Sequence, residues 1–176
     1  LHYMSRTRGT ASWDIDFGLN FRPSDALGLI YGIGLQIGVI VFVQLPLMWL
    51  LNIEDPPVQD VAEIAEEASS FGSGFVVFVV VVILAPLTEE LLYRGVLLSR
   101  LTRGFSKHVA VGIAAFVFAG IHLLDPDTIF IVPGLFVIGL VLGYQALHTG
   151  RIGLAITTHA GVNLLAAVAL LADLDV

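Results

Sequence analysis

Two adjacent glutamates, Glu89 and Glu90, close an apolar run that carries no charge from Gly72 to Thr88. Carboxylates at membrane depth are costly and are usually kept for a function. Other polar residues also interrupt apolar stretches. Arg94 follows Glu90 by four positions, His122 follows Phe118 by four, and Asn163 follows His159 by four; His148 lies beside Thr149 and Gly150. On a helix, side chains four residues apart share a face. Glu90 and Arg94 are therefore expected to pair, while Glu89 points about 100° away with no intrahelical partner. A carboxylate in a low-dielectric site can act as general base on a water, and a histidine beside it can hold that water or relay a proton. A second histidine and an asparagine can donate hydrogen bonds to the oxyanion formed in acyl transfer. These are the parts of a hydrolase that needs neither serine nor cysteine.

Such groups need spanning elements to carry them. The chain has 176 residues, 57% of them hydrophobic and 13% charged, with a mean hydropathy of +0.92. Soluble domains carry roughly a quarter charged residues. Several stretches exceed the ~18 apolar residues that a spanning helix requires. The fold expected is all-α, a polytopic transmembrane helical bundle of about five spans. These are placed at Ala26–Leu51, Gly72–Leu101, Val109–Leu124, Thr128–Leu147 and Ile152–Ala172. Residues 1–25 read as a cytoplasmic segment in which Pro23-Ser24-Asp25 supplies a helix-starting turn. Residues 26–172 read as the membrane core, and 173–176 as a tail. In the acidic connection from Asn52 to Ser70, Val61, Ile64, Ala65 and Ala68 recur at helical spacing, which suggests an amphipathic helix on the membrane surface. Pro86 should break the backbone ladder of the second span, with Thr88 as a local cap.

Arginines and the lysine order the spans. Arg6, Arg8 and Arg22 precede the first span, Arg100, Arg103 and Lys107 separate the second from the third, and Arg151 lies between the fourth and fifth. The N-terminus is thus expected in the cytoplasm and the C-terminus outside. Counting 1.5 Å per residue from these basic markers, Glu89 lies roughly 20 Å deep, His122 roughly 22 Å, His159 roughly 12 Å and Asn163 roughly 18 Å. Three helices therefore bring their polar groups to one layer of the membrane, where they can meet.

Net charge is −7, and the acids cluster in connections, which argues against a nucleic-acid surface. The absence of cysteine removes disulfides, thiolate metal sites and cysteine nucleophiles. Every aspartate lies in a connecting or terminal segment, so an aspartyl mechanism does not fit. Gly72-Ser73-Gly74 lies at a helix start, away from the histidines in depth, so a serine mechanism fits poorly. The abundance of Arg over Lys hints at a GC-rich or salt-adapted source, and a prokaryotic cell membrane is the expected location.

Taken in order, Glu89-Glu90 with Arg94, Phe118 with His122, and His159 with Asn163 resemble the three motifs of the CPBP family of intramembrane proteases, which includes the type II CAAX prenyl endopeptidases. The resemblance covers about Pro23 to Leu171. It implies an intramembrane glutamic endopeptidase acting on a membrane-associated protein or peptide within the lipid bilayer, with no cofactor and no metal. By the same resemblance Glu89 is the general base, His122 its partner in activating water, and His159 and Asn163 the oxyanion stabilisers. Glu90 and Arg94 support the site. Family members commonly have more helices before the first motif, so this chain resembles the shared core, truncated or naturally short, and the substrate entry side stays open.

Blander readings exist for each residue. Glu89 can be a protonated carboxyl bonded to a neighbouring helix, His122 a packing residue, His159 and Asn163 interhelical hydrogen-bonders, and His148 an interfacial cap. The glycines from Gly28 to Gly38 fit close helix packing. At the level of function two alternatives stand beside the protease. One is a zinc-dependent version with one Glu and two His as ligands. The other is a non-enzymatic membrane protein, such as a proton-linked transporter, an immunity protein or a scaffold.

Overall fold

In lipid a backbone must satisfy its own hydrogen bonds, and an isolated apolar segment can do so only as a helix. The computed structural model describes residues 1–53, 71–124 and 129–171, and among these the ordered elements are helical, with no strand. Four helices are long and apolar enough to cross a membrane: α3 (Pro23–Leu51), α4 (Gly74–Leu101), α5 (Lys107–Leu124) and α6 (Val132–Thr149). The expected fifth span forms as α7 (Gly153–Leu171), 19 residues long and apolar over Gly153–Val168. The amphipathic helix expected around Val61, Ile64, Ala65 and Ala68 lies outside the described residues, as does the C-terminal tail.

The N-terminal segment is more ordered than its polar composition suggested. It holds two short helices, α1 (His2–Arg8) and α2 (Trp13–Phe17). Ser12 caps α2 through the Ile15 amide, and Gly18 ends it in the left-handed conformation, φ 70°. Phe17 is buried and its backbone lies against Gly95 of α4. The turn expected at Pro23 is present as a 3₁₀ turn, Pro23–Ala26, with Asp25 accepting from the Arg22 amide at 2.8 Å.

Neighbour contacts fix the directions of the helices. Gly139 and Gly143 of α6 pack against Ala115 and Val111 of α5, so these two run antiparallel. Helices α3 and α7 run parallel: Gly28 faces Thr157, and Gly32 faces Thr158 and Gly161. The approach is so close that a Cβ on Gly32 would overlap the Thr158 carbonyl, and one on Gly161 would overlap the Leu29 carbonyl. This is small-residue packing, in which missing side chains let two backbones touch. The crossing is pinned at its start by the side chains of Arg151 and Asp25, a buried ion pair joined by Thr157 Oγ1 donating to the Asp25 carbonyl at 2.5 Å. A core of Leu98, Val111, Ala114 and Ile156 with Phe17, and a second of Val39, Ile138, Leu142, Ala155 and Val162, fill the space between helices.

Two of the long helices are unevenly wound. In α3 the turns over Ile40–Gln44 widen to π geometry just before Pro46, and in α4 those over Val79–Leu84 do so just before Pro86. A proline ring collides with the carbonyl four residues back, and a wide turn moves that carbonyl aside. The helix therefore continues through Pro86 without a break. Thr88, expected as a cap for a restarted helix, instead donates back to the carbonyls of Leu84 and Ala85 at 2.8 and 3.0 Å. A second wide stretch, Leu91–Leu98, follows the two glutamates.

Candidate active site

Glu89 and Glu90 end the short regular segment Ala85–Glu90 that lies between the two wide stretches of α4. Consecutive residues on a helix diverge, and here the two carboxylates reach different environments. Glu90 is fully buried, and the side chain of Glu89 keeps 32% of its exposure. The expected i,i+4 pair is formed: Arg94 Nη1 donates to Glu90 Oε1 at 2.5 Å. The guanidinium is held on a second side by the Gly139 carbonyl of α6, 3.0 Å from Nη2, and its carbon lies 4.7 Å from the centre of the Phe118 ring. These partners offset part of the cost of burying the pair, while Arg94 Nε and Glu90 Oε2 stay without a hydrogen bond among the described residues.

His159 of α7 joins both glutamates. Its Nδ1 is 2.9 Å from Glu90 Oε1, and its Nε2 is 3.8 Å from Glu89 Oε2. Because an ionised carboxylate can only accept, Nδ1 carries the hydrogen in that contact, and the ring is held with Nε2 toward Glu89. The sequence left Glu89 without an intrahelical partner; the nearby group comes instead from α7. Four residues on, Asn163 Nδ2 donates to the Val81 carbonyl of α4 at 2.9 Å. The origin of that acceptor is local. In the wide turn the Ala85 amide bonds to the Val80 carbonyl, five residues back. The next bond in that register would run from residue 86 to Val81, and proline has no N–H to make it. Asn163 thus satisfies a carbonyl that Pro86 orphans.

His122 stands in the 3₁₀ turn Ile121–Leu124 that closes α5, with Nδ1 3.1 Å from the Phe118 carbonyl. Its ring stacks edge-on against Phe118 at 5.6 Å, and the same phenyl ring meets His159 at 5.6 Å and Tyr93 at 5.3 Å. Phe118 is almost wholly buried and is the common wall against which both histidines, Arg94 and Tyr93 rest. The residues singled out on three apolar segments thus converge around Phe118, with Asn163 one turn further along α7. His148 does not join them; it is exposed in the last turn of α6. Neither the Gly139 carbonyl nor the Asp25–Arg151 pair is legible in the residues, since both depend on which helices become neighbours. The Asn163 acceptor had a trace in Pro86, five positions after Val81. Among the described residues no group of three or more His or carboxylate side chains is arranged to hold a metal ion.

Four membrane-length helices, a fifth apolar helix and a buried carboxylate–guanidinium–imidazole cluster define a polytopic membrane protein with a polar centre of the kind enzymes use. Residues 71–165, more than half of the chain and spanning every residue of that cluster, match the family model described as type II CAAX prenyl endopeptidase Rce1-like, and the chain belongs to this family. It is accordingly an integral membrane protein of a peptidase family, with a membrane-associated peptide as the kind of substrate the family implies. Neither the curated proteins nor the solved structures gave a match.

Proposed function

We propose that this chain is a glutamate-dependent intramembrane endopeptidase of the CAAX-processing type, in which Glu89 activates water. The observation that carries the reading is the unequal environment of the two adjacent glutamates about one histidine. Glu90 is buried and committed to Arg94 and His159, whereas Glu89 is partly exposed and lies within ion-pair distance of the same ring.

In this reading the Glu89 carboxylate takes a proton from water as the water oxygen attacks the scissile carbonyl carbon. His122, its Nδ1 fixed by the Phe118 carbonyl, helps hold the water. Negative charge develops on the carbonyl oxygen and is met by N–H donors on His159 Nε2 and Asn163 Nδ2. With Nδ1 donating to Glu90, a donor at Nε2 requires a hydrogen on both ring nitrogens. The Val81 carbonyl occupies one Nδ2 hydrogen and leaves the second to the oxyanion. Collapse of the tetrahedral intermediate breaks the C–N bond, and the proton held by Glu89 passes to the departing amine. The N-terminus is assigned to the cytoplasm from the placement of Arg6, Arg22, Arg100, Arg103 and Arg151. A substrate with a lipidated C-terminal segment would then approach from that face.

The test is cleavage of a prenylated C-terminal peptide in vesicles by the purified chain and by Glu89→Gln. General-base loss lowers turnover by about 10²–10⁴-fold, with the variant still folded. Unchanged turnover in the variant would overturn the role of Glu89; cleavage that disappears on chelation and returns with zinc would favour a metal-dependent route.

A further inference from the structure

At the opposite end of α5 from His122, about 22 Å away along the helix, the bundle carries a second polar cluster that the proteolytic reading does not use. Ser106 caps α5, its hydroxyl accepting from the Val109 amide, and Lys107 and His108 are its first two residues. Helix α6 returns antiparallel and brings Tyr144 and His148, one turn apart, to the same level. His108 Nδ1 and Tyr144 Oη are 2.8 Å apart, and the two rings lie tilted with centres 5.8 Å apart. Between the two helix ends opens a cavity of about 350 Å³ lined by Lys107, His108, Tyr144, Leu147 and His148.

The lining has a definite chemical sense. It offers an ammonium, two imidazoles and a phenol over one apolar residue, and no carboxylate among the described residues lines it. The His108–Tyr144 bond fixes the orientation of both rings, its direction set by the histidine tautomer. Leu147 also packs against the buried core, so the polar groups of the cavity are set in largely apolar surroundings. Phe105 and Val109, just before and after Lys107, are exposed apolar residues of the kind that rest in a lipid interface. Arg100, in the last turn of α4, and Arg103, on the connection into α5, are exposed. A cationic cavity between helix ends, next to an apolar surface and on the face expected to be cytoplasmic, suits the phosphate of an anionic headgroup.

We propose that this cavity binds a phosphate group, with Lys107 and His148 as its principal donors and the His108–Tyr144 bond holding one wall. The chemistry is shared by anionic phospholipids and soluble phosphate esters, and the lipid is the source favoured by Phe105 and Val109. The site does not depend on the assignment of Glu89, and binding can be measured on protein that cleaves nothing.

The full chain is purified in a mild detergent and titrated separately with phosphatidylglycerol, phosphatidylcholine and inorganic phosphate, with binding read by native mass spectrometry. Phosphatidylglycerol is expected to be retained over phosphatidylcholine. The Lys107→Gln/His148→Gln variant should lose roughly fivefold or more of that retention, and Arg100→Gln, a cation outside the cavity, should keep it. Competition by inorganic phosphate supports the site with a soluble ester as the ligand. Equal retention by parent and double variant, or a loss in Arg100→Gln as large as in the double variant, overturns the proposal. So does equal binding of the two lipids with no effect of phosphate.

Discussion

The two adjacent glutamates should part company when each is changed to glutamine, and stability is the quantity that separates them. Glu90 Oε1 accepts from Arg94 Nη1 at 2.5 Å and from His159 Nδ1 at 2.9 Å, and the side chains of Glu90 and Arg94 keep at most 1% of their exposure. Glutamine fills the same volume but removes the charge and leaves the guanidinium unpaired in a dry interior. Breaking one side of such a pair costs about 3–5 kcal/mol, a large share of the ~5–15 kcal/mol that holds a typical fold. Glu89, a third exposed and 3.8 Å from His159 Nε2, resembles a surface pair worth under about 1 kcal/mol. Purified variants are unfolded by heat and by increasing SDS in mixed micelles, followed by far-ultraviolet circular dichroism. Glu89→Gln should unfold with the parent, and Glu90→Gln well before it. The double change Glu90→Gln/Arg94→Leu should recover part of the loss, because the stranded cation is gone. Equal stability of the two single glutamine variants would refute the reasoning. So would a double variant less stable than Glu90→Gln alone.

Three other outcomes follow from particular contacts. Pro86→Ala supplies an N–H that competes with Asn163 for the carbonyls of the wide turn; turnover should fall toward the ~10²–10³-fold loss of an oxyanion donor while stability holds, and turnover unaffected in Pro86→Ala but abolished in Asn163→Ala would show the two are not coupled. Gly32→Ala drives a methyl into the Thr158 carbonyl and should cost about 1–3 kcal/mol by thermal unfolding, whereas Gly38→Ala, which meets nothing within 4 Å, should be neutral or better. Hydrogen bonds from the Ser5 hydroxyl and from Thr10 hold the Asp16 carboxyl below its ordinary range; its contribution to the fold of residues 1–17 is present above the unfolded pKa and is lost as pH falls through the lower folded one. Exchange protection of those amides, corrected for intrinsic rates, should fall on acidification in the parent and be already low and pH-independent in Asp16→Asn.

Much of this architecture was legible in the residues because membrane helices announce themselves by length and apolarity, and because a four-residue spacing fixes a shared face. The Glu90–Arg94 pair, the turn at Pro23 and the close packing at Gly28 and Gly32 follow from such local rules. What escaped depends on neighbours or on winding. The order in residues 1–17 comes from Phe17 docking beside Gly95, a contact between distant segments. His159 reaches both glutamates because α7 lies along α4, and no spacing within either helix specifies that. Thr88 makes no cap because wide turns carry α4 through Pro86, a matter of winding that the proline alone does not announce.

Uneven winding in α4 also has a mechanical meaning. In a uniformly wound rod, any twist or tilt applied at the ends is carried unchanged to the middle. Here the glutamates ride on a six-residue regular segment, Ala85–Glu90, with a compliant stretch on either side. Their heading is anchored sideways, by Arg94, His159 and the Asn163 clasp on Val81, rather than by the helix ends. When the surrounding bilayer thickens or thins, the ends of α4 can follow the lipid while the carboxylates keep their aim.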